Sequence, residues 1–505
     1  MPLAAPTTTS LAPLDPDAFG LPEARHLLRR AGFGPAPGEA EELARLGLDE
    51  AVARVVDYQR IDASGLPEPP VDPDVMHPPT PEQRRALRTA RKRDDQAAID
   101  AFRKERFEMR YADRRMFADL QRWWLDVMIR TPRPLEEQLV LLWHSHFATR
   151  YRGVRDAYLM AQQNASFRAN ANGSFADLAA GIVRDPAMIR FLDNDRNHRR
   201  EPNENLAREL MELFTLGEGN YTERDIKEAA RALTGYHAYD NDFVFRPRAH
   251  DHGRKTILGD RDGFDGDQLV RHLLRQRACW HYVAFKLYRH FVADVGDTPA
   301  DVPRAYEPII TALAGVVREH GYELRPVLKT LFKSAHFYDP QIVGRKVKSP
   351  AELAVGTVRM CRTPKRELNV MSRTMRLMGQ ALFNPPSVAG WDTGSMWINT
   401  STLFARQNLC AYLITGRMPG RRGGNVTPRD YDPMRLLRDP ATGDTLSDPE
   451  TATHALIDAL LGDHTPEARR APLVKFMQQR GERVRREDAA RLLLLITAMP
   501  EYQLC

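Results

Sequence analysis

Leu135-Glu136-Glu137-Gln138-Leu139-Val140-Leu141-Leu142-Trp143-His144-Ser145-His146-Phe147 is the stretch on which the reading of the fold turns. Taken as a helix, it puts Leu135, Leu139, Leu142 and His146 on one stripe and Val140, His144 and Phe147 on another. From Leu139 onward it is apolar almost all round, as a helix in the middle of a large helical body would be. Two imidazoles in such a place need hydrogen-bond partners or a metal ion. Residues two apart on a helix do not face each other, so His144 and His146 share one ion only where the helix ends or unwinds.

Outward from this stretch, helix start signals recur at Thr80-Pro81-Glu82-Gln83, Thr222-Glu223-Arg224-Asp225, Ser349-Pro350-Ala351-Glu352 and Ser447-Asp448-Pro449-Glu450. Each reads as an N-cap with an acidic or amide residue three positions on. Helical apolar spacing returns at Leu206, Leu210 and Leu213, at Leu269 and Leu273, and at Leu328, Leu331 and Phe332. Strand pattern is rare; Phe243 to Phe245 and Thr256 to Leu258, around a turn at His250 to Gly253, read as a hairpin. The expected fold is all-α, a large multi-helix single-lobed domain with one or two small β-hairpins. Residues 1–20 read as a disordered or extended segment and 21–415 as the main helical domain, with a loop at 60–80 and a long charged helix within 81–130. Residues 416–505 read as a loop followed by a C-terminal helical subdomain packed on the main body.

The bulk composition bounds the function. A 505-residue chain with 42% hydrophobic and 28% charged residues is ordinary globular material. The net charge of +6 is small against 73 basic and 67 acidic residues. Between Arg84 and Arg115 the two signs interleave and no aromatics alternate with the basic residues, which fits a solvated helix face and sets nucleic acid aside as a partner. The four cysteines, Cys279, Cys361, Cys410 and Cys505, lie far apart, which argues against a thiol metal knuckle or a disulfide framework. No run approaches the roughly eighteen apolar residues of a membrane span. The opening stretch has no basic region followed by an apolar run, so a cytoplasmic location is expected, with export alongside a partner as the other route.

Four places hold polar residues that packing does not require. The first is the His144/His146 pair. In the second, Asn203 to Phe214, helical spacing puts Asn205, Glu209 and Glu212 in one row beside the buried stripe, with Arg208 placed to pair with Glu212. A carboxylate at that edge is paired, binds metal or has a raised pKa. In the third, His250, Asp251 and His252 precede Lys255, and alternation puts the two imidazoles on one face; turn chemistry alone also explains Asp251 and Gly253. The fourth is the Pro/Gly loop from Asn384 to Trp397, whose Trp391 and Trp397 either contact a ligand or pin the loop to the helical body.

Taken together, these segments resemble the bacterial family known as domain of unknown function 1800. The matching stretches are His26 to Gly34, Trp143 to Phe147, Asn203 to Asn205 with Arg208-Glu209, Glu212 to Gly217, Ala232 to Gly235, His250-Asp251 with Lys255, Lys348-Ser349-Pro350 and Pro385 to Trp391. They keep the family's order over roughly residues 20 to 415. The resemblance implies no settled activity, substrate or cofactor; members are often associated with export.

Two functions follow as expectations. In a metal-dependent enzyme, a hydrolase first and an oxidoreductase second, His144 or His146, Glu209, Glu212, His250 and Asp251 would hold Zn, Fe or Mn. Asn205 and Arg208 would orient the ligands, with Glu209, Arg208 and Lys255 serving the chemistry. In a binding or scaffold protein the buried polar network would be structural, and the Trp391/Trp397 loop would meet a protein or glycan.

Overall fold

The computed structural model describes residues 4–417, 430–438 and 442–505. Most of the Gly416–Pro433 loop read from the sequence lies outside the described residues.

The chain begins with α1 (Leu21–Arg30), α2 (Glu39–Val56), α3 (Pro81–Lys92), α4 (Gln96–Arg130) and α5 (Pro134–His146). Next come α6 (Tyr151–Val154), α7 (Ala157–Ala169), α8 (Phe175–Ile182), α9 (Pro186–Phe191) and α10 (Asn205–Glu209), which runs into a π-helical turn at Leu210–Thr215. After α11 (Glu223–Ala232), strands β1 (Tyr236–Tyr239), β2 (Asp242–Phe245), β3 (Lys255–Ile257) and β4 (Asp260–Asp262) lead to α12 (Gly266–Leu274) and α13 (Arg277–Phe291). The rest is α14 (Glu307–Glu319), α15 (Leu324–Lys333), α16 (Pro350–Cys361), α17 (Leu368–Leu377), α18 (Thr400–Thr415), α19 (Pro449–Leu460), α20 (Glu467–Gln478) and α21 (Arg486–Ala498). The protein is mostly α with two small hairpins, as expected.

Helix α5 lies at the centre, with every residue from Leu135 to His146 buried except Ser145. It packs on α7, which also meets the long α4; α4 runs on past α16 and α17. On one side α16 packs on α18 and α18 on α21; on the other, α13, α14, α15, α2 and α1 form a chain of neighbours. One connected core includes residues from Phe19 to Tyr502. Among the described residues no helix is long and apolar enough to cross a membrane.

Local chemistry accounts for the boundaries. Thr80, Thr222 and Ser349 each form the expected capping box, with Gln83, Asp225 and Glu352. At the fourth start the cap is Asp448 rather than Ser447; its carboxylate accepts the Thr451 N–H at 2.8 Å and Pro449 begins the helix. The expected single charged helix is two, α3 and α4. The chain turns at Asp94 with φ 52°, a left-handed conformation that Asp tolerates, and Asp95 caps α4.

The expected hairpin is also redrawn. β2 pairs antiparallel with β1, and β3 with β4, so Phe243 to Phe245 and Thr256 to Ile257 belong to separate ribbons. The first ribbon closes with one residue of positive φ, Asp240, and the second with two, Leu258 and Gly259.

Thr222→Ala removes the cap of α11, the helix against which β3 packs. A loss of about 1 kcal/mol in urea denaturation is expected; an unchanged midpoint would contradict the cap's role.

Candidate functional site

Helix α5 ends at His146, because Phe147 leaves helical geometry. The rings of its two histidines nevertheless part company. His144 is enclosed by Trp124, Phe167 and Phe383, and its Nε2 accepts from Asn164 Nδ2 at 3.1 Å. The Asn164 amide is oriented by Arg168, which donates to its oxygen at 2.6 Å. His144 is a core histidine. His146 Nε2 lies 3.0 Å from the Phe214 carbonyl; a carbonyl only accepts, so Nε2 carries the proton and Nδ1 keeps its lone pair. That Nδ1 is buried without a partner.

The Phe214 carbonyl is available because of the π turn. Carbonyls at a helix end lack intrahelical partners, and those of Leu213 and Phe214 accept from Tyr282 Oη (2.9 Å) and His146. The wider turn also breaks the helical row expected from the sequence. Glu212 accepts the Tyr221 hydroxyl at 2.6 Å, while Glu209 makes no hydrogen bond or ion pair among the described residues; burial, then the Glu212 charge, raises its pKa. Arg208 pairs with Glu204 and Glu223 rather than with Glu212. Asn205 is exposed and orients nothing.

The His250 group is a closed structural network. His250 Nδ1 lies 2.7 Å from the Thr234 carbonyl, and Asp251 takes two hydrogen bonds from Arg231, at 2.7 and 3.2 Å. The Lys255 amine is fully buried and donates to the Asp251 carbonyl at 2.5 Å. Arg231 also binds Glu228, which accepts the Thr256 N–H and so stitches β3 to α11.

The remaining segments meet at a cavity of about 100 Å³. Its walls come from α5 (Ser145, His146), α13 (Lys286, Arg289, His290), the start of α16 (Ser349, Glu352) and the loop carrying Trp391 and Trp397. Both tryptophans are buried, so the loop is pinned by its rings and the same rings line the cavity. The Trp391 backbone N–H donates to Ser145 Oγ at 3.2 Å. Gly390, at φ 97°, lies so close to the Ser145 carbonyl that a side chain would collide with backbone. A second cavity beside it shares His146, Lys286 and Trp391 and reaches Glu212.

Of the residues expected from the sequence, His146, Glu212, Trp391 and Trp397 line these two cavities; His144, Asn205, Arg208, Glu209, His250, Asp251 and Lys255 line neither. The expected six-residue ligand shell is therefore divided among separate places. Among the described residues no group of three or more His, Cys, Asp or Glu side chains is arranged to hold a metal ion. Sequence reasoning missed Lys286, Arg289, His290 and Glu352. The one signal was Tyr282, Lys286, Arg289 and His290 at spacings of four, three and one in α13.

The charges in the main cavity are mostly paired. Arg289 binds Asp294 at 3.3 Å and also Asp297 and Thr393. Lys346 lies 3.1 Å from Glu352; burial would raise the Glu352 carboxyl, but Lys346 and the Ser349 N–H hold it down to about 2. Burial, assisted by Lys286 and Lys346 respectively, pushes His146 and His290 down to about 3. Both imidazoles are neutral at physiological pH.

Across residues 26–504 the chain matches the model of a family described as "Protein of unknown function (DUF1800)". The chain belongs to the DUF1800 family. The match passes residue 415, where the motif resemblance ended, and takes in the C-terminal helices. No curated protein and no solved structure matches it. In this DUF1800 protein, three of the resembling stretches converge on the cavity: Trp143 to Phe147 through Ser145 and His146, Lys348 to Pro350 through Ser349, and Pro385 to Trp391 through Ala389 and Trp391.

Gly390→Ala should cost more than about 1 kcal/mol and alter the near-ultraviolet dichroism as Trp391 is displaced; wild-type spectra and stability would contradict this packing. His144, His146 and His290 each bind protons more weakly folded, near 3, than unfolded, near 6.5. Their contribution to stability is complete above about pH 6.5 and is lost as pH falls toward 3. Denaturation midpoints should drop through that window, less steeply in His146→Gln; an identical slope in the variant would contradict the assignment.

Proposed function

We propose that this DUF1800 protein binds a small hydroxyl-rich molecule, of the sugar or polyol class, in the cavity between α5, α13, α16 and the Trp391–Trp397 loop. The observation that carries this reading is a set of three buried nitrogens, all on residues of that one cavity, without protein partners: His146 Nδ1, His290 Nε2 and Trp391 Nε1. Leaving such an atom unsatisfied costs about 1–3 kcal/mol. A hydroxyl both donates and accepts, so a molecule bearing several answers the His146 lone pair and the indole N–H together. The two indoles supply the apolar walls against which the C–H face of a sugar packs.

A metal-dependent hydrolase is the second reading, and it rests on the same two neutral imidazoles. Water and substrate would fill the remaining positions around the ion. Metal analysis after incubation with Zn, Fe and Mn salts tests it; less than a tenth of an equivalent retained would contradict it.

For the primary reading, isothermal titration of the full chain with a panel of mono- and disaccharides should reveal binding. Trp391→Phe keeps an aromatic ring, though a smaller one, and removes the indole N–H, and should weaken that binding about tenfold. Absence of binding at millimolar sugar, or identical affinity in Trp391→Phe and His146→Leu, would overturn the proposal.

A further inference from the structure

Lys286 stands apart from the other charges of the cavity. Arg289 is engaged by Asp294, Asp297 and Thr393, and Lys346 by Glu352. Lys286 lies on α13 where the two cavities adjoin, with His146 and Trp391 on the same shared wall. Among the described residues its amine makes neither a hydrogen bond nor an ion pair; its one recorded contact of charge is the face of Tyr282, 5.0 Å from the ring centre. The acid whose charge acts on it, Asp297, is bound by Arg289 and is not within ion-pair distance of the amine.

From this geometry we infer that the ligand carries an acidic group, a carboxylate or a phosphate, held by Lys286 at the junction of the two cavities. The inference rests on the reading of the main cavity as a binding site for a hydroxyl-rich molecule, and names the substrate class: an acidic or phosphorylated sugar or polyol.

The surroundings favour an anion at that point. A half-buried ammonium has lost part of its water and regains it only from an acceptor. Here the ring next to it, His146, is neutral and cannot neutralise the amine. Burial and Arg289 press Lys286 down to about 8, and the opposing pull of Asp297 and the contact with the Tyr282 ring compensate the cation only in part. A bound carboxylate or phosphate would provide that compensation, and would raise the amine's proton affinity again. The ring of Tyr282, held by its hydroxyl on the Leu213 carbonyl, faces the Lys286 amine and leaves its N–H donors free for a ligand. The hydroxyls of the same molecule would then reach His146, His290 and Trp391.

The test uses the full chain in two measurements. In the first, affinities for glucose, glucuronate and glucose 6-phosphate are compared in wild type and in Lys286→Gln. An acidic sugar should bind at least tenfold more tightly than glucose, and Lys286→Gln should bring its affinity down to that of the neutral sugar. Glucuronate and glucose 6-phosphate serve as the two arms that separate carboxylate from phosphate. In the second, acetylation of Lys286 by acetic anhydride is followed by peptide mass, with and without millimolar inorganic phosphate or acetate. Either ion should slow modification of Lys286 several-fold while leaving exposed lysines unaffected. If glucose and the acidic sugars bind equally, or the preference survives in Lys286→Gln, the anion inference is overturned and the hydroxyl-binding reading stands. If the simple anions protect Lys286 but no sugar binds, the hydroxyl-binding reading falls and the anion seat remains. If neither sugar nor anion has any effect, both are overturned.

Discussion

The hydrogen bond from His146 Nε2 to the carbonyl of Phe214 joins the end of the central helix to the π turn after α10, and the chemistry of the cavity depends on it. It decides which nitrogen holds the proton. With Nε2–H committed to a carbonyl, Nδ1 must present a lone pair, and burial keeps the ring from taking up a second proton near neutral pH. The same turn receives Tyr282 on the neighbouring carbonyl, so α5 and α13 are both referenced to one irregular piece of backbone. That piece is irregular for a reason found in many helices: where the i→i+4 ladder stops, carbonyls must find other donors. Here the donors are two side chains that line a cavity.

The segments whose motifs resemble the family fall into two groups with different physical tasks. The network of Thr234, His250, Asp251, Lys255 and Arg231 satisfies its own polar atoms and secures β3 and the preceding loop to α11. It needs no ligand to be complete. The group around Ser145, His146, Ser349 and Trp391 is not complete in that sense, since His146 and Trp391 each retain an unanswered nitrogen while the charged pairs around them are closed. A fully satisfied buried network fixes shape, whereas a partly satisfied one lining a cavity provides recognition.

Much of the fold could be read in the chain because its causes are local. The apolar surround of α5, three capping boxes and the interleaved charges of the 81–130 region each act over a few residues, and helix is present at all of them, although the charged stretch is two helices rather than one. The breaks at Asp94 and at the π turn were illegible for the complementary reason: a left-handed aspartate and one widened turn leave little trace in apolar spacing. The row Asn205, Glu209 and Glu212 assumed a uniform rotation per residue, and the π turn removes that assumption between Glu209 and Glu212. In the candidate site, His146 and the two tryptophans could be singled out because polar or large aromatic residues stood where packing did not require them. Lys286 and His290 were hidden inside a helix whose other residues fully explain its burial. That His146, Lys286 and Trp391 share a wall depends on long-range packing, about which spacing along the chain is silent.

The tautomer of His146 is the most direct measure of this account. Nitrogen-15 spectra of the protein labelled at histidine, with His146 assigned by comparison with His146→Gln, report the protonation of each ring nitrogen separately. The account predicts a neutral ring from pH 5 to 8 with the proton on Nε2 and a bare lone pair on Nδ1. A proton on Nδ1, or a ring that titrates near the ordinary imidazole value of about 6.5, would contradict it.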